Sequence, residues 1–163
     1  RKRQRLICFT ECGVRSAVRI AVSISEAIFS HELRCSCLGE GRAPLTPTIT
    51  LPQSSGTARL KNEDVTVRKV ADNRFTIGLA SAITMFGYTV RVYDLERTIC
   101  DLFRSRSTVD PQDLQSAFQN YMRSAHTDLV KLMNYAREFR LVNVMRPYLE
   151  AVMPAWFTGE FIL

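Results

Sequence analysis

Polar and apolar positions alternate along Tyr88-Thr-Val-Arg-Val-Tyr93. Val90 and Val92 fall on one side of a strand, with Thr89, Arg91 and Tyr93 on the other. Within one residue the period changes. Asp94 stands where an N-cap belongs, and Glu96 falls in the first turn, where a carboxylate suits the helix dipole. Leu95, Ile99, Leu102 and Phe103 then recur as a helical apolar stripe. The pattern predicts a strand that passes straight into a capped helix at Asp94.

Upstream, Thr48-Ile-Thr-Leu51 reads as a short strand bracketed by Pro44, Pro47 and Pro52. Val65, Val67 and Val70 mark a second strand, and Ile77 to Met85 a third, with Phe86-Gly87 as the turn into the Tyr88–Tyr93 strand. Phe29-Ser-His-Glu32 reads as a helix start capped by Ser30, while residues 33–43 sustain no stripe. Downstream, Asp110-Pro111 is a cap followed by proline at the first helical position. Leu114, Ala117, Phe118, Tyr121 and Met122 form its stripe. Thr127-Asp128 opens another helix, with Leu129, Leu132, Met133 and Ala136 on one face. A third stripe runs through Leu141, Val144, Met145, Tyr148, Leu149 and Val152. Pro147 interrupts that last stripe and should kink the helix or cost it about 3 kcal/mol.

These elements predict an α+β fold: a small, mostly antiparallel sheet followed by a C-terminal cluster of three to four helices. The strands lie too close together in sequence for helical crossovers. Residues 44–153 read as one α+β domain, residues 1–43 as a remnant or disturbed N-terminal region and residues 154–163 as an apolar tail.

Charge adds an asymmetry. The chain has 163 residues and a net charge of +6, unevenly placed. Residues 1–47 carry eight Lys/Arg against four Asp/Glu, residues 48–92 six against three, and residues 93–163 eight against nine. A basic front half is compatible with nucleic acid as a partner. The cations that would serve are Arg1, Lys2, Arg3, Arg5, Arg59, Lys61, Arg68 and Lys69, although no aromatic interleaving marks a single-strand platform. The uncharged run from Phe75 to Val90 is shorter than the roughly 20 apolar residues of a membrane span, so no membrane partner is expected. Glu11 and Cys12-Gly-Val-Arg15 break any signal-peptide core behind the basic N-terminus. Five cysteines, an odd number, read as reduced thiols of a cytoplasmic protein.

Candidate chemistry is sparse. Cys8, Cys12, Cys35 and Cys37 have poor spacing for a zinc site, and Cys100 reads as a small core residue. Asp94 and Glu96 turn to different sides of the predicted helix, so with Asp101 they make a poor metal trio. Asp101 instead reads as a partner for Arg97 at i−4 or for Arg104 at i+3. Ser30-His31-Glu32 cannot align as a triad from adjacent positions. Gly39-Glu-Gly41 lacks the Lys-Ser/Thr of a phosphate loop. No enzyme, cofactor or metal is expected.

The run Tyr93-Asp-Leu-Glu-Arg-Thr-Ile-Cys-Asp101 resembles a signature of the abortive-infection antitoxins of AbiE-type (type IV) toxin–antitoxin systems. The likeness extends over roughly residues 44–153, through Thr48-Ile-Thr-Leu-Pro52, the Val65–Val70 strand, Phe86-Gly-Tyr-Thr-Val-Arg-Val92 and Arg146-Pro-Tyr-Leu-Glu150. The resemblance implies a bacterial phage-defence antitoxin and transcriptional regulator. Its C-terminal α+β domain would antagonise a nucleotidyltransferase-like toxin, without requiring a stable complex. Tyr93, Asp94, Leu95, Glu96, Arg97, Thr98 and Asp101 would then be effector or structural residues. In that family a winged helix-turn-helix domain precedes this one and binds promoter DNA. Only 28 residues stand before Phe29, and residues 33–43 depart from the family pattern before Arg42-Ala-Pro44 rejoins it. Residues 1–43 therefore read as a truncated or frame-disturbed remnant, and promoter DNA is expected for full-length homologues rather than for this chain. Arg1 in place of a start methionine points the same way. The alternative is a basic nucleic-acid-binding module without toxin antagonism.

Overall fold

The computed structural model describes residues 6–7, 24, 27–29, 48–60, 65–84 and 87–152. The chain divides into two compact units, Arg1–Asp94 and Leu95–Leu163. The division falls at the predicted strand-to-helix junction. The boundaries expected at 43/44 and 153/154 lie outside the described residues, as do the apolar tail and Ser30-His31-Glu32.

The first unit is built on a sheet. Its strands are β1 (Leu6–Ile7), β2 (Ile28–Phe29), β3 (Thr48–Pro52), β4 (Thr66–Val70), β5 (Leu79–Thr84) and β6 (Thr89–Tyr93). Their order across the sheet is β1-β5-β6-β2-β3-β4. Together with the helices that follow, this is the α+β fold expected, but the pairing within the sheet is mixed rather than mostly antiparallel. β5/β6 and β2/β3 are antiparallel, while β1/β5, β2/β6 and β3/β4 are parallel. Two physical reasons account for the difference. β2, a strand of two residues with no readable period, inserts between β6 and β3, so the later strands do not form a meander. Residues 53–65 are also long enough for the crossover of about a dozen residues that a parallel pair needs; among its described residues a 3-10 turn occupies Ala58–Leu60. Phe29, expected at a helix start, is a strand residue paired with Ile49 and Val92.

The register explains the core. Phe29 faces Val92 and Ile49 across the sheet, and Ala80 and Ala82 face Val92 and Val90. With side chains alternating between faces, these residues gather on one side with Ala27, Leu51 and Leu60. Ile28, Phe75 and Tyr93 pack on the other. The β5–β6 connection turns at Gly87, whose φ of 82° lies in the left-handed region that glycine enters without a steric penalty. A four-residue helix that the sequence pattern does not announce, α1 (Asp72–Phe75), follows β4.

The second unit is helical among the described residues: α2 (Leu95–Arg104), α3 (Pro111–Arg123), α4 (Leu129–Glu138) and α5 (Val142–Val152). Each starts within two residues of its predicted position. Asp110 caps α3 by accepting a hydrogen bond from the Gln112 N–H at 2.8 Å, with Pro111 next in line. Asp128 caps α4 by accepting from the Lys131 N–H at 2.9 Å. α4 ends with Arg140 at φ 56° and the Leu141 N–H bonded back to the Ala136 carbonyl at 2.7 Å, the left-handed helix stop usually occupied by glycine. α2 packs on α3 and α4, and α5 packs on α3 and α4. The rings of Phe103, Phe118 and Tyr148 meet edge to face, with Phe103 at 5.4 Å from Phe118 and 4.9 Å from Tyr148. Pro147 sits inside α5 as the sequence requires.

Candidate functional site

Of the run Tyr93–Asp101, the first two residues belong to the first unit and the rest to the second, and each part is bonded within its own unit. On the sheet side, Tyr93 ends β6 with its ring buried, and its hydroxyl donates to the Phe75 carbonyl at 2.9 Å. Asp94 is half-buried, directly before the first residue of α2, and its N–H donates to the Gly78 carbonyl at 2.8 Å. The pleated segment thus stops at Tyr93 and the helix begins at Leu95, as the change of period predicts.

On the helical side, every residue from 95 to 103 is buried. A helix buried on all sides is ordinarily apolar throughout. This one carries Glu96, Arg97, Thr98 and Asp101, whose charges and hydroxyl need partners once water is excluded.

Asp101 is one centre of the resulting lattice. Its Oδ2 accepts from Arg97 Nε at 2.9 Å and its Oδ1 from Arg104 Nη1 at 2.9 Å. The two partners that the i−4 and i+3 spacing offered as alternatives are both engaged. Arg97 is fully buried, whereas the Arg104 side chain is 36% exposed. The two guanidinium groups also share the ring of Phe139, at 4.3 Å and 5.4 Å from its centroid. Phe139 follows the last turn of α4, so the pair joins α2 to α4 through an aromatic face.

Glu96 is the second centre. Tyr121, at the C-terminal end of α3, places its hydroxyl 3.2 Å from Glu96 Oε1, and Lys131, in the first turn of α4, places Nζ 3.4 Å from Oε2. The same hydroxyl accepts from the Asp128 N–H at 3.2 Å and lies 3.3 Å from the Asp128 carbonyl. Its one proton serves either Glu96 or that carbonyl. Thr127 Oγ1 lies within hydrogen-bond distance of the Tyr121 and Ser124 carbonyls, its one proton serving either. Burial, and after it the negative charge of Glu96, pushes the Tyr121 hydroxyl far above the ordinary phenol range. Tyr121 is therefore a neutral donor and acceptor at every physiological pH.

Glu96 thus does more than complement the α2 dipole. It fastens the start of α2 to the end of α3 and the start of α4. Tyr121, Lys131 and Phe139, which complete the two centres, are readable in sequence only as stripe or surface residues, because nothing local announces a contact 25 to 42 positions away. Thr98 is also buried on α2, and Cys100 is buried with Sγ 4.0 Å from the Leu132 carbonyl. Among the described residues no cluster of three His, Cys, Asp or Glu side chains forms that could hold a metal ion. Cys8, Cys12, Cys35 and Cys37 lie outside the described residues.

The candidate nucleic-acid cations do not assemble into a described surface. Arg1, Lys2, Arg3, Arg5 and Lys61 lie outside the described residues, and Arg59 falls within the Ala58–Leu60 turn. Arg68 and Lys69 are neighbours on β4 and so point to opposite faces. Lys69 is occupied by its own unit: Nζ donates to the Ser55 carbonyl at 2.8 Å and the Gln53 carbonyl at 3.4 Å, pinning the turn after β3. Among the described residues no helix is long and apolar enough to cross a membrane.

No family model matches the chain, and neither does any curated protein.

Proposed function

We propose that the chain is an antitoxin of the abortive-infection, type IV toxin–antitoxin kind, acting in bacterial phage defence against a nucleotidyltransferase-like toxin in the cytoplasm. The observation that supports this is the run of residues 93–101: the signature-like sequence coincides with a direct strand-to-helix handover and opens a cluster of four helices. In this proposal the motif works from inside. Glu96, Arg97 and Asp101 are buried and bonded within the helical unit, and Thr98 is buried on the same helix, so they hold the effector in shape, and contact with a partner falls to exposed side chains of α3, α4 and α5. The alternative, a basic nucleic-acid module, draws less support, since Lys69 is bound to backbone carbonyls of its own unit.

Co-expression tests the proposal. A nucleotidyltransferase-like gene adjacent to the one encoding this chain should arrest growth when induced alone and spare it when the chain is co-produced. Undiminished arrest with soluble, folded chain present would reject the antitoxin function. Duplex DNA binding that falls steeply with added salt, without rescue, would favour the nucleic-acid module instead.

A further inference from the structure

We draw no further inference here: the strongest candidate, the outer edge of the sheet along β4 with Arg68 and Lys69 on it, carries nothing, because nothing in the structure shows what covers that edge and Lys69 is already bound to the carbonyls of Gln53 and Ser55.

Discussion

Arg97 and Asp101 stand one turn apart on α2, Nε to Oδ2 at 2.9 Å, with both side chains shut away from water. A buried pair of this kind adds little over a well-packed apolar pair, but breaking it by removing one partner typically costs about 3–5 kcal/mol. Asp101→Asn keeps the shape and removes the charge that faces both Arg97 and Arg104. Denaturant unfolding should show a loss in that range. Truncating the half-exposed Arg104 to Ala should cost far less, since water already screens it. An Asp101→Asn loss no larger than the Arg104→Ala loss would mean the lattice does not hold the helices.

Glu96 and Tyr121 should behave as one unit. Glu96→Gln retains an acceptor for the hydroxyl but gives up the ion pair with Lys131. Tyr121→Phe removes the one group that serves Glu96 and the Asp128 backbone together. Each change should cost about 1–3 kcal/mol, the usual penalty for stranding a buried polar group. The double variant should cost clearly less than the two losses added, because the groups are in contact. Additive losses in a double-mutant cycle would show that the 3.2 Å approach carries no coupling.

Tyr121 also sets an alkaline limit. Its folded hydroxyl ionises well above the ordinary value of 10.0 that the unfolded chain retains. The folded state therefore holds this proton more tightly, and the contribution is complete below pH 10 and lost as the pH rises beyond it. The stability difference between the native chain and Tyr121→Phe should stay level up to about pH 9 and shrink above pH 10. A difference that remains level to pH 12 would contradict the buried, neutral hydroxyl.

Pro147 is the clearest local flaw in the molecule. It is exposed within α5, lacks the N–H that would bond the Asn143 carbonyl, and crowds that carbonyl with its ring. Pro147→Ala should raise stability by about 1–3 kcal/mol in thermal or denaturant unfolding, after allowing for the greater freedom it restores to the unfolded chain. A destabilised Pro147→Ala would mean that α5 depends on the proline.

What could be read in advance follows the range of the forces involved. Capping and apolar periodicity are local, so the junction at Asp94, the Asp110 and Asp128 caps and the three stripes from Leu114 to Val152 were all legible. The partners of Asp101 were legible as alternatives, Arg97 or Arg104, because i+4 and i+3 neighbours share a helix face, but not that both would be engaged at once. Strand partners were not. Whether β3 pairs with β4 in parallel depends on where Ile28 and Phe29 insert, and two residues carry no period. The partners of Glu96 stayed hidden for a related reason: Tyr121 falls in an apolar stripe and Lys131 resembles a surface lysine. Only the packing of α2 against α3 and α4 reveals that both reach the same buried carboxylate.

The most direct measurement compares growth rescue with the amount of folded protein across Glu96→Gln, Asp101→Asn, Tyr121→Phe and an exposed change such as Asn134→Ala. If residues 93–101 act as an internal frame, rescue should fall in proportion to the folded fraction for the buried variants, and return when Pro147→Ala is added to restore stability. A variant such as Asp101→Asn that stays fully folded yet loses rescue would contradict this, and would make the motif a contact surface rather than a frame.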